Sequence, residues 1–298
     1  MRWSGIFVAL LVCACGKSGS KDGRAPAVRD AAVVAKKLDA GPAARRIAAA
    51  LTESCESNDH EACRSLGVMY TEGTGVKRDL ARARSLFSDA CEAGLANACN
   101  NLALVYAQGL GVDVDSTRAR SLFARACDGD NALGCRNLGL IYRDGTGVPA
   151  DPTRAAELFL KACESGAAFA CNNLGALVRD GTGIKADPRQ ALELFQKACD
   201  AGDPSGCRNV GQLYIEGKGV PRGVSPAAVW FERACEGADA VGCRALGLLA
   251  LEGQGVPKSE ERGKELLARA CRGADVMACE MMAKEGWVVK TRSRVPAE

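Results

Sequence analysis

From about residue 43 to residue 287 the apolar positions fall into two alternating helical patterns. In the first, small or apolar residues stand at a cysteine and three, four and seven residues beyond it, as at Cys63, Leu66, Gly67 and Tyr70. That spacing puts them on one side of an α-helix. In the second, an apolar pair lies four and five residues before a cysteine, with alanine immediately before it. Leu86-Phe87-Ser88-Asp89-Ala90-Cys91 shows this pattern, and Leu158-Phe159-Leu160-Lys161-Ala162-Cys163 repeats it.

Polar residues, proline and glycine mark the ends. The first helix of each unit starts at a cap four residues before its cysteine: Asp59, Asn131, Asp203, Asp239 and Asp275 hold that place, and their side chains accept the free N–H groups of a first turn. It stops at an acidic residue or Gln followed by Gly-x-Gly, as in Glu72-Gly73-Thr74-Gly75, where glycine supplies the left-handed stop. The second helix starts after Asp79, Asp115, Asp151 or Asp187, with Pro152 and Pro188 at the first helical position. In the fifth unit Ser225-Pro226 reads as a cap displaced by two residues from Gly223. Glycine follows soon after the second-helix cysteine, at Gly94, Gly129, Gly166, Gly202, Gly237 and Gly273.

The cysteines give the period. Apart from Cys13 and Cys15 they form seven Cys-x7-Cys pairs: Cys55/Cys63, Cys91/Cys99, Cys127/Cys135, Cys163/Cys171, Cys199/Cys207, Cys235/Cys243 and Cys271/Cys279. Successive pairs are offset by 36 residues without a slip, the mark of a stacked repeat. Six full units are framed by a lone second helix before Cys55 and a lone first helix after Cys271. The fold class is all-α, a solenoid of stacked antiparallel helix pairs.

Cys-x-x-Leu-Gly-x-x-Tyr, Gly-x-Gly-Val and Leu-Phe-x-x-Ala-Cys together resemble the Sel-one-like repeat, a relative of the tetratricopeptide repeat. The Cys-x7-Cys form resembles the Helicobacter cysteine-rich proteins. The resemblance spans about residues 43 to 285 and implies a right-handed superhelix. It also brings an alternative activity, β-lactam hydrolysis or penicillin binding, because the cysteine-rich relatives carry that label.

Within each pair, one cysteine falls in the last turn of a second helix and the other in the opening turns of the next first helix. A short glycine turn brings the two together, so seven disulfides that staple consecutive repeats are expected. Zinc sites favour Cys-x2-4-Cys spacing and histidine, whereas this chain has wider spacing and a single histidine, His60.

The ends carry their own signals. Arg2, the apolar run Ile6 to Val12 and the sequence Val12-Cys13-Ala14-Cys15 resemble a bacterial lipoprotein signal. Residues 1–14 are then a signal peptide and Cys15 the lipidated residue. Residues 15–42 read as a tether, with eight basic and three acidic residues between Gly16 and Arg46. Residues 288–298 form a basic tail. Gly16, in place of the Asp that retains many lipoproteins at the inner membrane, favours the outer membrane. The expected location is the bacterial envelope, facing the periplasm.

Candidate chemistry is sparse. No Gly-Lys-Ser/Thr follows a glycine loop, so these are helix stops rather than phosphate cradles. The only Ser-x-x-Lys runs from Ser18 to Lys21 in the tether, and Ser-Asp-Asn and Lys-Thr-Gly are absent. One histidine supports neither a zinc site nor a Ser/His/Asp set. No cofactor and no metal are expected, and catalytic residues cannot be assigned. Lys and Arg total 39 against 36 Asp and Glu, with no basic stripe that would suit nucleic acid.

A binding face is easier to build. Counting from the first-helix cysteine as zero, positions 2, 5 and 9 lie opposite the core stripe. Position 2 is Asn101, Asn137, Asn173 and Asn209, flanked by Ser65 and Ala245 in the outer units. Position 9 is acidic or Gln and includes Asp144 and Asp180. Asparagine offers both a donor and an acceptor to an extended backbone. The expected partner is therefore a protein or peptide held on the inner curve of a lipid-anchored scaffold, with a β-lactam or peptidoglycan fragment as the alternative ligand.

Overall fold

A computed structural model describes residues 41–287. They form fourteen helices, and no strand occurs among the described residues. In chain order these are α1 (Pro42–Glu56), α2 (His60–Glu72), α3 (Leu80–Glu92), α4 (Ala96–Gln108), α5 (Ser116–Asp128), α6 (Ala132–Asp144) and α7 (Pro152–Glu164). They continue as α8 (Ala168–Asp180), α9 (Pro188–Asp200), α10 (Pro204–Glu216), α11 (Val224–Glu236), α12 (Ala240–Glu252), α13 (Glu260–Arg272) and α14 (Val276–Lys284). Even-numbered helices are the first helices of the repeats and odd-numbered ones the second. α1 begins at Pro42, one residue inside the segment assigned to the tether, with Gly41 as its cap. The signal, Cys15, the rest of the tether and the basic tail lie outside the described residues.

Each helix packs on its sequence neighbours, so the core is a row of small clusters. With 5% aromatic residues in the chain, alanine and leucine do most of the filling, around one buried Phe in each of five second helices. Position 4 shows why glycine recurs there. A Cβ on Gly67, Gly139, Gly175 or Gly211 would stand 2.6–2.7 Å from the Cε1 atom of Phe87, Phe159, Phe195 or Phe231. On the other flank, Arg82, Arg118 and Arg154 lie 4.4–5.0 Å over the rings of Tyr70, Tyr106 and Tyr142, tying first to second helix.

All seven cysteine pairs are disulfides, with Cα atoms 4.4–4.7 Å apart. Cys55 bonds Cys63, Cys91 bonds Cys99, Cys127 bonds Cys135 and Cys163 bonds Cys171. Further along, Cys199 bonds Cys207, Cys235 bonds Cys243 and Cys271 bonds Cys279. In the five inner pairs both cysteines are buried, whereas Cys55, Cys271 and Cys279 in the end pairs are half-buried. Closing so short a loop contributes about 2–3 kcal/mol per bond in the chain-entropy model.

One expectation at the turns needs correction. The displaced cap at Ser225-Pro226 does not occur: α11 starts at Val224 with Gly223 as cap, in frame with the other units. Pro226 falls in the first turn, where its missing N–H breaks no helical bond. The turn glycines also divide into two kinds. Gly94, Gly166 and Gly202 adopt positive φ, but in three other turns that conformation falls one residue later, on Asp130, Ala238 and Ala274. There the preceding Gly129, Gly237 and Gly273 serve close packing: a Cβ would lie 2.6–2.9 Å from Ala96, Pro204 or Ala240.

The caps also link one repeat to the next. Asp239 Oδ1 accepts from Gly242 N–H at the start of α12, and its Oδ2 accepts from Arg208 Nε of α10 at 3.2 Å. Asp275 repeats this with Ala278 N–H and with Arg244 Nε at 3.0 Å. Asp203 caps Ser205 N–H at 2.9 Å, but the residue one period before Arg208 is Asn172. The Asp203 Oδ2 atom, on a residue with no exposed surface, is left without a partner.

Burial pushes the Asp203 carboxyl up from its ordinary value, against smaller downward pulls from Ser205 and Arg208. The folded chain therefore holds this proton more tightly than the unfolded chain. Ionisation costs stability as pH rises through the raised pKa, and the cost vanishes below the unfolded carboxylate range. Asn serves as the cap at the equivalent Asn131. The Asp203→Asn variant should melt about 2–4 °C above the parent at pH 7, roughly 1 kcal/mol, by circular dichroism. That advantage should disappear at low pH, where the parent carboxyl is already protonated. An equal advantage at both ends of the range would contradict a buried carboxylate as its cause.

Candidate functional site

Successive first helices approach one another closely, as α2 with α4, α4 with α6, α8 with α10 and α10 with α12. No two successive second helices come as near among the described residues. The first helices therefore line the inner side of the curve. Helical spacing carries four positions of each along that side: −2, 2, 5 and 9 from the cysteine.

The cysteines that set this count take no part in the face. Cys99, Cys135, Cys171, Cys207 and Cys243, at position 0 of α4, α6, α8, α10 and α12, are at most 4% exposed. They sit on the core side, each bonded to the second helix before it. A ligand on the inner curve cannot reach their sulfurs, so these five are structural staples and not members of a binding or redox site.

In the six full repeats position 5 is a half-buried row, apolar except at Gln212: Val68, Leu104, Leu140, Ala176 and Leu248 complete it. Beside it runs the asparagine row, which is less open than a face opposite the core implies. Asn101, Asn137 and Asn173 are half-buried, and Asn209 is only 9% exposed. Two of the four donate to an asparagine of the preceding repeat: Asn137 Nδ2 to Asn100 Oδ1 at 3.0 Å, and Asn209 Nδ2 to Asn172 Oδ1 at 2.7 Å. Asn173, with its amide turned to satisfy its neighbours, donates to Phe169 O and accepts from Arg143 Nη1 at 3.1 Å. These amides tie neighbouring first helices together, and part of their hydrogen-bonding capacity is used in doing so.

The acidic row is also partly committed. Asp144 is gripped by Arg143 through Nε at 2.7 Å and Nη2 at 2.9 Å, and Asp180 by Arg179 in the same way. Both carboxylates remain exposed. At these two repeats the rim presents paired charges instead of bare negative charge.

Two rows were missed in the sequence. Position −2 holds Leu133 at 50% and Phe169 at 51% exposed, with Val241 and Met277 further along. Stepping back four residues from the asparagines finds them. Position 1 holds Arg64, Arg136, Arg208 and Arg244, and aligning it with the next repeat's cap shows which have a carboxylate partner. Arg208 and Arg244 pair with Asp239 and Asp275, and Arg64 pairs with Glu61. At Arg136 the aligned cap is Ala167, which makes no side-chain cap bond. Arg136 Nε is buried without a hydrogen-bond partner, and its guanidinium lies 5.6 Å over the Phe169 ring. Burial, and then the nearby Arg143 charge, lower its pKa from the ordinary arginine value; a guanidinium stays protonated even so.

His60 is the first residue of α2, where Asp59 does the capping. Among the described residues no group of His, Cys, Asp and Glu is arranged to hold a metal, and no helix is long and apolar enough to cross a membrane.

No curated protein sequence matches the chain. Among solved structures, a protective antigen of uropathogenic Escherichia coli with an SLR fold aligns at 26% identity and TM-score 0.71 over 80% of this chain. This chain spans about half of that protein, 52% of its length. A Sel1 repeat protein from Oxalobacter formigenes aligns at 23% identity and TM-score 0.71, covering 81% of this chain and 96% of that one. Cysteine-rich protein B of Helicobacter pylori aligns at 28% identity and TM-score 0.38, over 45% of this chain and 98% of its own. The Sel1 repeat pattern matches six times, at residues 60–95, 96–131, 132–166, 168–203, 204–239 and 240–275, each match opening at or within one residue of the start of a first helix. The chain belongs to the Sel1 repeat family.

Proposed function

We propose that this chain is a lipid-anchored scaffold of the bacterial envelope that holds an extended segment of a partner protein on the inner side of its solenoid. Sel1 repeats are a scaffold for protein–protein interaction, which sets the class of partner. The observation that carries the finer reading is the inner face itself. Half-buried apolar side chains run beside asparagines and paired charges, with Leu133 and Phe169 exposed at one edge. An extended peptide needs alternating apolar and hydrogen-bonding contacts, and this stripe offers both along successive repeats. Stapled helices keep the stripe preformed, which lowers the entropy cost of binding.

The anchor rests on Arg2, the short apolar run and Val12-Cys13-Ala14-Cys15. Cys15 takes the lipid, the tether lifts the solenoid from the surface, and Gly16 favours the outer membrane. Cell fractionation tests this directly. The parent should sediment with outer membranes and enter the detergent phase, and Cys15→Ala should become soluble. A Cys15→Ala protein that stays in the detergent phase would contradict the assignment.

A photo-crosslinking residue placed at Asp144, on the inner rim, should form a discrete protein adduct in cells. One at Glu157, exposed on the second helix α7, should not. Replacing Asn137 and Asn173 together with Ala should weaken the inner adduct about tenfold, the equivalent of one or two hydrogen bonds. Adducts from Glu157 alone, or adducts indifferent to the double replacement, would argue against the inner face.

A further inference from the structure

The first helix α8 departs from the charge pattern of its neighbours on both flanks. Where α12 and α14 present a cap carboxylate to the preceding repeat's arginine, α8 presents Ala167. Where α10 and α12 present an arginine to the following repeat's cap, α8 presents Asn172. The second change leaves the Asp203 oxygen sealed inside the protein. The first leaves Arg136, half-buried at the edge of the inner face, against the half-exposed ring of Phe169 and three residues along α6 from Leu133, the counterpart of Phe169 one repeat earlier.

We propose that Arg136 and Phe169 form the specificity centre of the inner face, accepting an Asp or Glu side chain of an extended peptide whose adjacent apolar side chain rests on Phe169 and Leu133. This rests on the reading of the inner face as a peptide-binding surface. The internal pairs are the template for the contact. Arg208 and Arg244 each receive a carboxylate oxygen on Nε at 3.2 and 3.0 Å, and the same donor of Arg136 is buried and unmet. A buried donor left without a partner is costly, so a ligand that supplies an acceptor there gains more than one that meets a solvated arginine. A carboxylate fits the planar fork of a guanidinium. Arg143 adds positive charge, and the rim carboxylates Asp144 and Asp180 are each held by their own arginine; Asp203 is near enough for its charge to act on Arg136, but burial pushes its carboxyl toward the neutral form. The aromatic face keeps the guanidinium oriented while its edge stays open to apolar contact.

The frame suggests its own test. Ala167 has φ −76° and ψ 96°, near the −71° and 109° of Asp239, so Ala167→Asp fits the backbone, caps α8 and supplies Arg136 with an internal carboxylate. This variant should melt at or above the parent's temperature, by about 2–4 °C, while competing with any acidic ligand. The full, oxidised chain in detergent is used to select from a random-peptide library displayed on phage, in which the peptides have no free C-terminus. Selected peptides should carry Asp or Glu next to Leu, Ile, Val or Phe. Their affinity, by fluorescence anisotropy of the synthetic peptides, should fall about tenfold or more in both Ala167→Asp and Arg136→Gln.

Peptides without an acidic residue, or peptides that bind Ala167→Asp as tightly as the parent, would overturn the assignment. If those peptides still weaken on the Asn137/Asn173 replacement, the inner-face reading stands without it. A selection that yields no binder, or only binders indifferent to every inner-face substitution, would overturn both.

Discussion

Each turn between repeats is crossed by a disulfide that joins the last turn of a second helix to the opening turn of the next first helix. Its geometry holds the two backbones within 4.7 Å at Cα, so the glycine turn between them has little freedom in length or path. From this follow the unslipped 36-residue period and the regular stacking. In a solenoid each repeat touches only its neighbours, and stability is a sum of local terms. A chain with so few aromatic residues buries little per repeat, and a covalent tie at every junction offsets that shortage.

A fixed register makes columns of equivalent side chains, and departures within a column then stand out as chemistry. The column of arginines at position 1 and the column of caps four residues before each cysteine meet across the repeat junctions. Where both members are present they bond, at Arg208–Asp239 and Arg244–Asp275. Around α8 each column loses one member, and the two unmatched groups differ in consequence. Asp203 is sealed in, whereas Arg136 is half-buried and packs on the exposed Phe169 at the edge of the inner face.

The fold was largely legible in the sequence, because periodic apolar stripes, capping residues and cysteine spacing all report local geometry. The caps at Asp59, Asn131, Asp203, Asp239 and Asp275 bond first-turn N–H groups as their position predicts. Legibility failed where two physical demands compete for one residue. Glycine follows the second helix at Gly237 as it does at Gly94, yet close packing on Pro204 holds it there and the positive φ falls on Ala238. Ser225-Pro226 reads as a cap, but the fixed register outweighs it. The inner face was legible in outline only. A single helix shows which side Asn137 lies on; that its amide donates to Asn100 depends on how the neighbouring first helix stacks. Arg136 was missed for the same reason: its absent partner lies in another repeat, and only setting position 1 against the next repeat's cap reveals it.

The staple pattern is the claim on which the register, the inner face and the unmatched arginine all depend. Peptide mapping of the unreduced mature protein by mass spectrometry addresses it most directly. The account predicts seven cross-linked products, each joining cysteines eight residues apart, and a gain of two hydrogens per bond on reduction. Peptides linking cysteines from non-adjacent repeats, or free thiols among the fourteen repeat cysteines in the folded protein, would contradict it.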